Sequence, residues 1–151
     1  MRVSEWISKH GDAVVTVPPD AALRDVMKRV LQEPCLRDVY VADSDGRLLG
    51  HISHRRIAAY VLAEQRPAHT RRQLMERVAG GTAADFMNSL FPSASPDEEL
   101  EDVLNRQLEM ELEDMPVISA DGKVLGAVNL THVLREYMAQ GSALKETGET
   151  L

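Results

Sequence analysis

The sequence predicts an α/β fold of the α+β kind: two tandem βαββα repeats packed as a pseudo-two-fold module. Three short blocks, each occurring twice in the same order, predict it. Pro19-Asp20-Ala21-Ala22-Leu23 returns as Pro96-Asp97-Glu98-Glu99-Leu100, 77 positions later. Asp38-Val39-Tyr40-Val41 returns as Asp114-Met115-Pro116-Val117, and Asp45-Gly46-Arg47-Leu48-Leu49-Gly50 as Asp121-Gly122-Lys123-Val124-Leu125-Gly126, both at an offset of 76. The boundaries follow: repeat one over 1–62, a linker over 63–81, repeat two over 82–138 and a polar tail over 139–151.

Each copy reads as strand, helix, strand, hairpin, strand, helix. Asp20 and Asp97 come after prolines and before helical spacing, so each is expected to be an N-cap. Leu23, Val26, Met27, Val30 and Leu31 then recur at three- and four-residue intervals, as do Leu100, Val103, Leu104 and Leu108. Glu98 and Glu99 are expected in the first turn of the second helix, where the dipole favours acids.

Val39-Tyr40-Val41 and Met115 to Ile118 are expected strands. The Asp45-Gly46 and Asp121-Gly122 pairs are hairpin signals leading to strands over 48–52 and 124–128. Gly50 and Gly126 sit inside those strands, where a glycine marks close approach by backbone or ligand. Ser53 and Asn129 are expected to cap the last helices, lined by Ile57, Tyr60 and Val61 in one copy and Val133, Leu134 and Tyr137 in the other. The linker is expected to carry a short basic helix over 70–78. A single repeat buries too little surface to be stable alone, which is why two would share one core.

Composition narrows the function. The chain has 151 residues, 44% of them apolar and 4% aromatic, so a real core must rest on aliphatic side chains. One cysteine, Cys35, allows no internal disulfide and suits a reducing compartment. With no apolar run long enough for a membrane span or a signal peptide, the reading is cytoplasmic. The net charge of −7 argues against nucleic acid. The acidity is concentrated: residues 1–62 carry +1 and residues 82–138 carry −9. Five histidines show no metal-ligand spacing and there is no Gly-rich phosphate loop, so neither an enzyme nor a metal site is expected.

The ordered pattern Asp-x-Pro-Val followed by Asp-Gly-x-x-x-Gly, kept in the second copy and present in the first with Tyr40 in place of the Pro, resembles the cystathionine β-synthase (CBS) domain, and the pair resembles a Bateman module. The resemblance implies a short helix opening each repeat, Val3 to Ile7 in the first and Ala83 to Met87 in the second, with the strand Val14-Val15-Thr16-Val17-Pro18 following the first. The resemblance implies a regulatory module that dimerises and binds AMP, ADP, ATP or S-adenosylmethionine in a cleft between the repeats. It also implies a ribose site, Ser/Thr-x-x-Asp, at the start of the last helix, where the carboxylate accepts from ribose hydroxyls. Here the first copy reads Ser53-His54-Arg55-Arg56 and the second Asn129-Leu130-Thr131-His132. Neither keeps the Asp.

The first copy gains positive charge at a helix start, a place that favours anions. The candidate ligand-binding residues are Thr16, Val17, Tyr40, Ser53, Arg55 and Arg56 in the first copy, and Pro116, Asn129 and His132 in the second. Tyr40 stands where the family carries Pro; it would stack on a purine or fill core space, and core is the favoured role. Two other readings stand beside ligand sensing. One is an interaction module whose sites have decayed. The other is an acidic Mg²⁺- or Ca²⁺-sensing module, through Asp97 to Asp102 and Glu109 to Asp114. The regulated partner is not identified by the sequence.

Overall fold

The structure, a computed structural model, describes residues 1–10, 14–32, 38–62 and 80–146, without the side chains of 60–62 and 142–146. The basic helix expected over 70–78 and Cys35 lie outside those residues. The elements in order are α1 (Val3–His10), β1 (Val15–Val17), α2 (Leu23–Gln32), β2 (Val39–Ala42), β3 (Leu48–Ile52), α3 (His54–Leu62), α4 (Ala83–Phe86), α5 (Leu100–Met110), β4 (Asp114–Ile118), β5 (Val124–Asn129) and α6 (Leu130–Glu146).

One sheet has the order β1-β2-β3, with β1 parallel to β2 and β2 antiparallel to β3. Tyr40 stands in register with Thr16 on one side and His51 on the other. The second sheet is β4-β5. The first strand of repeat two is reduced to a single parallel bridge, Ala94 to Val117. Pro92 and Pro96 flank that residue within serines, a context with missing donors and weak strand preference. Gly46 and Gly122 take φ of 85° and 86° at the two hairpin turns, a backbone region that glycine enters at no steric cost.

The chain condenses into two compact units that cut across the repeats. Of the described residues, one gathers 1–10, 93–117 and 125–146; the other gathers 14–32, 38–62, 80–92 and 118–124. In the first unit, Val3 and Trp6 of α1 share a core with Leu100, Val103, Met115, Val117, Val128 and Val133. In the second, Ala83 shares a core with Val15, Val26, Val39, Val41 and Ile52, with Phe86 and Met87 packed against it. Each opening helix thus completes the core of the other repeat.

The strand glycines register this exchange. A Cβ on Gly50 would lie 2.6 Å from Met87 Sδ and 2.9 Å from the Asn88 carbonyl oxygen; one on Gly126 would lie 2.9 Å from Ile7 Cδ1. His51 and Asn88 exchange two backbone hydrogen bonds at 3.0 and 2.9 Å. Close approach by backbone is therefore the reason for Gly50.

The same exchange moves the helix starts. Asp20 and Asp97 are not N-caps, because α2 and α5 begin three residues after each. Leu23 N–H donates to the Gly81 carbonyl and Leu100 N–H to the Met1 carbonyl, each at 2.9 Å. Backbone from the opening segment satisfies the helix start, and a side-chain cap has nothing left to do. Glu98 and Glu99 precede α5, whose first turn holds Glu101 and Asp102 instead.

Several expected core positions face outward: Leu31 is 76% exposed, Leu108 61%, Leu134 56% and Tyr137 55%. The described part of the tail, residues 139–146, is helical despite its polarity. Helix α6 continues through Glu146, since Met138, Ala139, Gln140, Ala143 and Leu144 favour helix and only Gly141 opposes it.

Candidate functional site

The start of α3 is built by the turn of the chain out of β3. Because β3 runs antiparallel to β2, its end returns beside the residue that precedes β2, Asp38. There the Asp38 carboxylate accepts from His54 N–H at 3.3 Å and meets His54 Nδ1 at 3.3 Å, with His51 Nε2 4.0 Å away. Ser53 Oγ accepts from Arg56 N–H at 3.0 Å, so the serine is the N-cap the sequence suggests. Arg55 is exposed, and the Arg56 guanidinium lies 5.1 Å above the Phe86 ring. No acid occupies the first turn. A helix start with two arginines and a hydroxyl cap is chemistry for an anion.

Thr16, Tyr40 and His51 form a row across the sheet by strand register. Thr16 is exposed, while Tyr40 is only 2% exposed, with its ring 6.5 Å from His51 and nearly parallel to it. The Val17 side chain belongs to the core. A cleft of about 710 Å³ opens at the other end of β1 and β2, lined in part by Thr16, Val17, Asp20, Asp43, Gly46 and Val124. Asp43 is occupied there by the hairpin, accepting from Asp45 and Arg47 N–H at 2.9 Å each. Of the first-copy candidates, the cleft gathers only Thr16 and Val17. Ser53, Arg55 and Arg56 lie at the opposite end of β2, because β3 reverses direction.

In the second copy the equivalent positions are committed internally. Asn129 is 8% exposed and uses both ends of its amide: Nδ2 donates to Asp114 Oδ1 at 2.8 Å, and Oδ1 accepts from His132 N–H at 2.9 Å. Pro116 is buried in β4, and its carbonyl accepts from Ala94 N–H at 2.8 Å. The His132 ring turns toward Glu136 on the same helix.

Within the acidic run, Glu98 is held by Arg106 through two hydrogen bonds of 2.8 and 3.2 Å. That guanidinium bond, helped by Ser95 N–H, holds the Glu98 carboxyl below its ordinary value, and Glu98 in turn raises Arg106.

Asp38, His51 and His54 were not among the residues selected from the sequence. The repeat held a signal for Asp38: it aligns with Asp114, and both carboxylates serve the start of the last helix of their copy. The two histidines carried no signal, since only strand pairing brings them to Asp38.

The chain belongs to the CBS domain family, which it matches in two segments, residues 3–63 and 83–139. The fold is that of a tandem CBS pair. A CBS-domain protein from Thermotoga maritima is 24% identical, with a TM-score of 0.69, and the match covers 89% of this chain and 92% of that one. CBSX2, solved in complex with AMP, is 21% identical with a TM-score of 0.70, covering 93% of this chain and 98% of that one. The cytosolic domain of the Mg²⁺ channel MgtE, solved in complex with ATP, is 21% identical with a TM-score of 0.61, over 81% of this chain and 44% of that one. No curated protein matches the chain by sequence. Among the described residues, no helix is long and apolar enough to cross a membrane.

Proposed function

We propose that this chain is a cytoplasmic regulatory module, without catalytic activity, that senses an adenine nucleotide or related adenosyl or phosphate-bearing ligand. The observation that carries the reading is the first turn of α3, with Ser53 as cap, Arg55 exposed to solvent and no acidic residue within the turn, the neighbouring Asp38 carboxylate being engaged with His54. Two relatives of the same fold were solved with AMP and with ATP, which favours an adenine nucleotide over other anions. Arg55 is the phosphate contact in this account, and Arg56, over Phe86, shapes the rim. Thr16 is exposed next to buried Tyr40, which packs rather than stacks on ligand. Pro116 and Asn129 do not bind nucleotide in this reading, because their polar groups are already used, and neither does His132, whose ring faces Glu136.

The regulated protein is a partner, and the module works as a homodimer. Leu134, Tyr137 and Met138, spaced at one turn on α6 and 56%, 55% and 73% exposed, supply an apolar stripe for a second copy. A second reading, an interaction module with decayed sites, draws on the spent amide of Asn129.

The test is a thermal-shift panel of AMP, ADP, ATP, S-adenosylmethionine, Mg²⁺ and Ca²⁺. One adenosyl ligand should raise the melting temperature, and Arg55→Ala should remove that rise. A panel with no response to any nucleotide favours the interaction-only reading, and a response to Mg²⁺ or Ca²⁺ alone favours the acidic cation-sensing one.

A further inference from the structure

We propose that His10, His132 and Glu136 form a binding site for a divalent transition-metal ion, with Zn²⁺ as the best-fitting ion. The inference does not rest on the nucleotide reading. His10 ends α1, and His132 and Glu136 lie one turn apart at the start of α6, on one face of that helix. Glu136 Oε1 is 3.8 Å from His10 Nδ1 and 3.7 Å from His132 Nε2. The three ligand atoms all lie within 4.8 Å of one another. Bonds of about 2.0–2.1 Å to a four-coordinate ion separate neighbouring donors by roughly 3.3–3.5 Å, so small side-chain rotations close the set.

The setting is prepared for it. Trp6 is 5% exposed and anchored in the core, with its ring centroid 4.1 Å from that of His10 and 5.4 Å from that of His132. The indole thus holds both imidazoles in place, and the two imidazole rings meet edge to face at 5.4 Å. The three side chains are 25%, 23% and 34% exposed, open enough for an ion to enter and sheltered enough to lose bulk water.

Two imidazoles and one carboxylate suit Zn²⁺, with Co²⁺, Ni²⁺ and Cu²⁺ as alternatives for the same donors. Mg²⁺ and Ca²⁺ want six or more oxygens and do not fit. Three protein ligands leave the fourth position to water or an anionic group. The ion would clip α1 to α6 across 122 residues of chain, a long closure of the kind from which metal clips gain most stability.

The full chain without an affinity tag, titrated with ZnCl₂ alone, tests the site. Zn²⁺ should bind once per chain by calorimetry and raise the melting temperature by several degrees, while MgCl₂ leaves it unchanged. Trp6, the only tryptophan, reports locally: Ni²⁺ should quench its fluorescence, and Zn²⁺ in excess should reverse the quenching. His10→Ala, His132→Ala and Glu136→Gln should each weaken Zn²⁺ binding about tenfold or more. Glu136→Gln preserves shape, so it decides the matter if a histidine variant fails to fold. No Zn²⁺ binding by the parent chain, or binding undiminished in Glu136→Gln, overturns the proposal.

Discussion

The two repeats begin their last helix at equivalent positions and use them differently. In repeat one, Ser53 Oγ accepts a single backbone N–H, and the carboxylate of Asp38 turns to His54. In repeat two, Asn129 donates to buried Asp114 and caps His132 with the other end of its amide. Position 56 carries an arginine over an aromatic ring, and its equivalent 132 carries a histidine facing a carboxylate and a second histidine. One start is a basic, solvent-facing end; the other is a buried clamp with a metal-type donor set beside it. Duplication preserves the backbone frame because hairpins and core spacing require it, while the helix start, which carries little of the core, is free to diverge.

The two repeats differ most in stability at the strand glycines. Gly50→Ala places a Cβ against the Asn88 backbone carbonyl, which cannot move without parting the His51–Asn88 pair. It should cost about 3 kcal/mol, at the upper end for overpacking. Gly126→Ala meets only the flexible end of Ile7 and should cost about 1 kcal/mol. Equal midpoints in urea denaturation for the two variants would remove this difference between the repeats.

The caps come next. Asn129→Ala takes a donor from a buried carboxylate and should cost about 2 kcal/mol. Ser53→Ala removes only a cap and should cost about 1 kcal/mol. A larger loss for Ser53→Ala, read by the same denaturation, would reverse the assignment of clamp and open end.

The smallest effect concerns an ion pair that only repeat two has. Glu98 and Arg106 correspond to Ala21 and Arg29 in repeat one. The folded carboxyl of Glu98 titrates below its unfolded value, so its stabilisation is present above the unfolded value and is lost as pH falls through the folded one. Both side chains are about a third exposed, which limits the contribution to about 0.5–1 kcal/mol. Glu98→Gln should lower stability by that amount at neutral pH and not in strong acid. A melting-temperature difference that persists unchanged at low pH would contradict it.

Much of the fold was legible because it is written in local signals. The Asp-Gly turns, the apolar spacing of α2 and α5 and the Ser53 and Asn129 caps all depend on residues within a few positions of one another. Legibility failed at Asp20 and Asp97, where distant backbone took over a capping role that the local sequence offers to a side chain. It also failed for Leu134 and Tyr137, since helical spacing identifies an apolar face without saying what covers it. In the candidate site, the arginines and caps could be read directly, whereas Asp38, His51 and His54 meet only through antiparallel pairing.

The duplication, the elements of each copy and the basic start of α3 are written in the local sequence. Which opening helix completes which core, why Gly50 must lack a side chain, and that His10 meets His132 and Glu136 follow from tertiary packing alone. These are contacts across many tens of residues. Local periodicity and turn chemistry act over a handful of positions, so contacts of that range are settled by how the cores close.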